Sequence, residues 1–154
     1  MKLSVSCRIA EGFLSKEEAI MSFPELGALA TDAGYDALCM RASQIGVHSA
    51  DEDIANARKC LDARGLGVTM ISGDFDIVYN NERGPDCLSA ITPHLDLAEQ
   101  LGAPLIRVCI KTEDDIAAAQ RASDEAAERG LALVHQCHVQ NLGKQNQIRE
   151  WHQF

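Results

Sequence analysis

The sequence predicts a parallel α/β fold built from repeated strand–helix units. Three observations predict it. Short, nearly continuous apolar runs alternate with stretches whose apolar residues recur every three or four positions, the spacings of buried strands and of amphipathic helices. Each helical stretch stops at a glycine (Gly34, Gly65, Gly102 and Gly130), and these recur at roughly the 30 residues or more that one βα unit requires. Polar, chemistry-bearing side chains gather just after the apolar runs rather than before them.

The elements follow in chain order. The first strand covers about Lys2–Cys7, and Ser15 and Glu18 then carry the spacing of a capping box over a short turn. The first full helix opens at Ser22, with Glu25 three residues on and Pro24 in the first turn, where its missing N–H costs nothing. Leu26, Leu29 and Ala33 should face inward, and Gly34 should supply the left-handed stop. The second strand covers about Asp36–Met40. The second helix starts at Ser49 with Glu52 as its partner and buries Ile54, Ala57 and Leu61. The third strand covers about Gly67–Ser72. The third helix begins near Pro85 and carries Leu88, Ile91, Leu95, Ala98 and Leu101 on one face, with His94 in the same pattern as a surface or packing residue. The fourth strand covers about Leu105–Ile110. The fourth helix is capped by Thr112, with Asp115 three residues later, and buries Ile116, Ala119 and Ala122. The fifth strand covers about Leu131–Gln136.

Strands this apolar are covered by helices on a face, and the right-handed crossover rule makes the sheet parallel. Two architectures satisfy the pattern: a partial (β/α)8 TIM barrel of about five strands, or an open, doubly wound flavodoxin-like sheet. Five units in 154 residues suit the open sheet by length alone.

Composition narrows the function. A net charge of −9, from 23 acidic and 14 basic residues spread along the chain, would repel a polyanion, so nucleic acid is not an expected partner. No apolar run approaches the ~18–20 residues of a membrane span, and the N-terminus lacks the pattern of a secretory signal. A cytoplasmic protein without a membrane partner is expected. None of the six cysteines shares a C-x-x-C spacing, and they read as reduced, mostly buried residues. No G-x-G-x-x-G, Walker A loop or G-x-S-x-G elbow occurs, which weakens dinucleotide, nucleotide and α/β-hydrolase readings.

Both architectures place ligands at the C-terminal ends of the strands. There the sequence puts Arg8, Arg41, His48, Asp74, Lys111 and, within the fourth strand, Arg107. The loop from Gly73 to Arg83, with Asp74, Asp76, Asn80, Asn81 and Glu82, can hydrogen-bond a polyhydroxy ligand or be an ordinary solvated turn. Arg41, Arg107 and Lys111 can receive a phosphate or carboxylate, or pair with nearby acids. In His135-Gln136-Cys137-His138, strand alternation points Gln136 and His138 one way and His135 and Cys137 the other, which argues against the simple paired-histidine metal site.

The first strand, Met1 to Ser6, the segment Gly34-Tyr35-Asp36-Ala37-Leu38, the run Asp96 to Ala103 leading into Ile106-Arg107-Val108, and Ala127 to Leu133 together resemble the xylose-isomerase-like barrel family over about residues 1–142. The resemblance implies a sugar or sugar phosphate isomerase or epimerase. It implies a divalent metal (Mn, Mg or Zn) at the C-terminal face, polarising an α-hydroxy carbonyl sugar while carboxylates shuttle a proton. It also implies that Gln136 and His138 stand where a Glu-x-His pair begins the metal site, Gln136 being a departure because a neutral amide is a weak ligand. The same family takes roughly 250 residues to close its barrel, whereas residues 143–154 form a divergent polar tail that contains Trp151 and His152. The expectation is therefore a member truncated after the fifth strand, lacking the second half of the usual site. The alternative is a non-catalytic half-barrel that self-associates as a homo-oligomer through the open barrel edge, or needs a partner chain.

Overall fold

Five strands lie side by side in the order in which the chain makes them. The computed structural model describes residues 2–15, 17–79 and 81–136. In it β1 (Ser4–Ser6), β2 (Ala37–Met40), β3 (Gly67–Ile71), β4 (Leu105–Val108) and β5 (Ala132–His135) form one sheet in the order β1-β2-β3-β4-β5. Every adjacent pair is parallel. The connecting helices are α1 (Phe23–Asp32), α2 (Asp51–Arg64), α3 (Phe75–Tyr79), α4 (Gly84–Ser89), α5 (Thr92–Leu101) and α6 (Asp114–Glu128).

That order decides between the two architectures. Right-handed crossovers in one unbroken direction keep the connecting helices on one side of the sheet, as a TIM barrel requires. A doubly wound sheet must reverse its strand order at a switch point, and no reversal occurs among the described strands. The fold is a five-strand arc of barrel type, not a flavodoxin-like sheet.

Side-chain alternation gives the arc two faces. Leu38, Met40, Ile106 and Val108 are buried on the helix side. Cys39 and Arg107, which lie between them, are half-buried and project to the other, concave side. Onto the helix side pack Leu26 and Ala30 of α1, Ile54, Ala57 and Leu61 of α2, Leu95, Ala98 and Leu101 of α5, and the alanines 118, 122 and 126 of α6. A fully buried leucine or isoleucine contributes about 1.5–3 kcal/mol, so this apolar layer holds the arc together.

The caps follow the sequence with instructive exceptions. The Ser22 N–H donates to the Glu25 carboxylate at 2.9 Å, as the capping box predicts. The four helix-ending glycines all adopt the left-handed backbone, φ 78, 66, 67 and 71°. On α1, however, Leu29 and Ala33 are exposed, and Gly27 and Ala30 take the inward positions. Gly27 lies against the Arg64 side chain of α2, a contact that a larger residue would crowd. The second helix begins at Asp51, because the Ser49 hydroxyl accepts from the Gly46 N–H instead of capping. Residues 15–18 form no helix among the described residues, and the chain there is tied by a bridge between Glu11 and Ala19. The single helix expected from Pro85 to Leu101 is two, α4 and α5, broken around Ala90 and Ile91. Pro93 explains the break: it has no N–H to donate to the Ser89 carbonyl one turn back, and its ring crowds that carbonyl. The long loop after β3 contains the short helix α3. The residues from Cys137 onward, with the expected tail and its Trp151 and His152, lie outside the described residues.

Candidate functional site at the C-terminal ends of the strands

The first cluster forms where β1 and β2 end. A 3-10 turn at Cys7–Ala10 carries the chain from β1 to Glu11, which is buried. Its carboxylate accepts from the Nε of Arg41, the residue just after β2, and from the Ser43 hydroxyl at 2.7 Å. Arg41 is itself only 5% exposed. Its Nη2 donates to the Tyr79 hydroxyl at 3.2 Å, and its guanidinium lies 5.9 Å from the centre of the Phe75 ring. Phe75 and Tyr79 stack one turn apart on α3, ring centres 6.3 Å apart. Burial works against the Arg41 charge, but the bonds to Glu11 and Tyr79 outweigh it and raise its pKa. Arg41 is thus a satisfied cation, fixed on three sides.

The second cluster forms the rim between β2 and β3. Asp74 is buried, and one carboxylate oxygen accepts the Asp76 N–H, starting α3. The other lies 3.1 Å from Nε2 of His48, whose side chain is 78% exposed. These residues line a groove of about 460 Å³ with Glu17, Asp76 and Asn81. The Cys87 sulfur lies within 4.8 Å of carboxylate oxygens of both Asp74 and Asp76. Burial, then the charges of those two aspartates, push its thiol up to about 11.

Beneath the rim lies His94, in the first turn of α5. It is 2% exposed, and neither ring nitrogen has a hydrogen-bond partner among the described residues. Burial drives its pKa down to about 4, against a partial pull upward from Asp74. Its ring packs so closely on Gly73 that a Cβ there would sit 2.6 Å from Cδ2.

Arg107 is the third feature. It projects from the middle of β4 into the concave face, paired in register with Val134 of β5. Its Nε is buried and has no acceptor among the described residues. Burial first, then the nearby Arg41 charge, lower its pKa.

The expected residues therefore divide. His48 and Asp74 meet directly, and Arg41 and Arg107 are electrostatic neighbours. Lys111 is exposed, and its backbone N–H is held by Asp115 at 2.9 Å. Gln136 is exposed at the end of β5, its N–H donating to the Val108 carbonyl at 3.0 Å. His135 accepts the Ile110 N–H through Nδ1 at 3.1 Å, a structural tie between β4 and β5. Asn80 and His138 lie outside the described residues. Sequence reasoning missed Glu11, Ser43 and Tyr79 as partners of Arg41, and of its two readings of His94, surface or packing, the structure gives packing. The available signals were a glutamate in the first loop of the polar face and a tyrosine one helical turn after Phe75.

The arrangement has a chemical sense. The rim offers carboxylates and an imidazole, which accept hydrogen bonds from hydroxyl groups. The concave interior offers the Arg107 guanidinium, which can donate to carbonyl or anionic oxygen. A small polyhydroxy carbonyl compound matches both.

No protein-family model and no curated protein matches the chain. Solved structures do match its fold. A probable 3-DHS dehydratase, AsbF, from Bacillus anthracis superposes with a TM-score of 0.65 at 15% identity, over 90% of this chain and 53% of that one. A xylose isomerase-like TIM barrel protein from Mycobacterium smegmatis, solved in complex with magnesium, gives 0.61 at 17% identity, over 73% and 45%. A D-psicose 3-epimerase solved with D-fructose gives 0.60 at 17% identity, over 86% and 51%. The chain thus spans about half the length of the barrels it matches, and it shares their fold.

Proposed function

We propose that this chain, with its xylose isomerase-like barrel fold, carries part of a sugar isomerase/epimerase-type site that binds an α-hydroxy carbonyl sugar at the C-terminal ends of its strands. The observation that carries the reading is the convergence of Arg41, His48, Asp74 and Arg107 on that one end of the sheet. The epimerase and dehydratase among the matching folds support it. His48 is the group best placed to move a proton: imidazole suits that task near neutral pH, and buried Asp74 orients the ring. In the step it would serve, the imidazole takes the hydrogen on the carbon beside the carbonyl as a proton, the C–H pair becomes a carbon–carbon double bond, and the carbonyl π pair moves to oxygen to give an enediolate. Delivery of the proton to the former carbonyl carbon gives isomerisation, and its return to the original carbon from the opposite face gives epimerisation.

The fold family implies a divalent metal, and the described donors do not fit one held tightly. Gln136 offers only a neutral amide. Both Asp74 oxygens are already bonded, and the Cys87 thiol beside them is held protonated at neutral pH. No step is therefore routed through a metal. The expected result is that manganese or a chelator leaves the thermal melt of the chain unchanged.

Carbon-bound hydrogen exchange tests the reading. D-Fructose in deuterium oxide should lose its C1 or C3 proton signals when the chain is added. His48→Asn should slow that exchange by about 100-fold, the lower range for a general base. Exchange no faster than in protein-free buffer would sink it. A second reading, a non-catalytic half-barrel completed by a second copy or a partner chain, is favoured by one observation: among the described strands, β1 and β5 each have a neighbour on one side only. Absent exchange together with concentration-dependent association in sedimentation would favour it.

A further inference from the structure

Arg41 and Arg107 sit near one another on the same end of the sheet, and only one of them is provided for. Arg41 spends its Nε on Glu11, its Nη2 on Tyr79 and its flat face on Phe75. Its charge is cancelled within the protein. No carboxylate among the described residues pairs with Arg107. The groups that feel its charge are Arg41, the thiols of Cys39 and Cys109 and the phenol of Tyr79. Thiols and phenols are neutral at pH 7, and burial raises the Cys39 thiol further. The local sum is two guanidinium charges against the single carboxylate of Glu11.

An uncompensated cation with a buried, unpaired N–H destabilises a fold. It is a feature to expect where a ligand supplies the missing partner. The atom left over also identifies the ligand chemistry. Nε and the adjacent Nη of a guanidinium present two parallel N–H groups, the fork that takes the two oxygens of a carboxylate or phosphate. Alternation along β4 directs that fork into the concave face, away from the apolar layer under the helices.

We propose that Arg107 is an oxyanion receptor, and that the substrate of this site is an anionic polyhydroxy compound whose carboxylate or phosphate binds the Arg107 guanidinium. This rests on the reading of the face as a sugar site and narrows its substrate class. Arg41, buried and already paired, is a positioning residue that keeps Tyr79 and α3 in place beside the receptor. The acidic rim at Asp74 and Asp76 lies on the hydroxyl side of the same ligand.

Calorimetric titration of the 154-residue chain with three probes tests it. D-Gluconate carries a carboxylate, D-glucose 6-phosphate a phosphate, and D-fructose no charge. At least one anion should bind about tenfold or more tighter than fructose, and Arg107→Met should weaken that anion by about tenfold to a hundredfold, the worth of a charge-assisted bond. Arg107→Lys, which keeps the charge but loses the fork, should fall between. The anion that responds distinguishes carboxylate from phosphate. Unliganded Arg107→Met should melt no lower than the wild type, because the substitution removes a half-buried cation whose buried Nε has no acceptor among the described residues. A clearly lower melt, or anions bound as tightly by Arg107→Met, would overturn the proposal. Fructose bound equally well by both proteins, without an anion preference, would overturn it while leaving the sugar-site reading in place. No binding of any probe would overturn both.

Discussion

His94 is held neutral by its surroundings, and this ties its ionisation to folding. Buried with no hydrogen-bond partner among the described residues, it binds its proton only near pH 4, whereas in the unfolded chain it does so near 6.5. Between those values the unfolded state holds more protons, so stability falls as the pH falls. The full effect is about 3 kcal/mol, present above pH 6.5 and gone by pH 4. Urea denaturation at stepped pH should show that loss, and His94→Leu should flatten this limb at little cost, since the ring nitrogens bond to none of the described residues. Gly73→Ala should destabilise by about 2 kcal/mol or more, because the new methyl would strike the His94 ring and φ is +22°. At this scale the sequence was half legible. Arg41, His48, Asp74 and Arg107 could be found because each follows or interrupts an apolar run. Their partners could not, because Glu11 reaches Arg41 across 30 residues and Asp74 reaches His48 across 26. Such pairings depend on strand order, which no local pattern encodes.

Each helix is fixed at its ends by local chemistry and along its length by burial. Ser22→Ala should cost about 1 kcal/mol, the ordinary worth of an N-cap, read as a lower denaturant midpoint with an unchanged slope. Leu61→Ala, which empties a fully buried site between α2 and the sheet, should cost about 2–5 kcal/mol. Element positions were legible because glycine stops and three–four apolar spacing depend only on the local chain. The misassigned details have tertiary or steric causes. Leu29 yields the inner face of α1 to Gly27, against which Arg64 lies. Pro93 divides the helical pattern that runs from Leu88 to Leu101, although the apolar face continues across the break.

For the whole molecule, strand order matters most. Sequential parallel strands bring every βα loop to one end of the arc, so residues far apart in sequence share the Arg41–Glu11, His48–Asp74 and Arg107 neighbourhood. The sequence left barrel and open sheet both standing because either accommodates five βα units. The unreversed order separates them. The central claim is that this end of the sheet is a ligand site, and amide NMR titration with D-gluconate and D-fructose tests it most directly. The expected result is saturable shifts confined to residues around Glu11, Arg41, His48, Asp74 and Arg107, with Asp36, Gly67 and Leu105 at the opposite end unmoved. Shifts centred on that opposite end, or none at all, would contradict it.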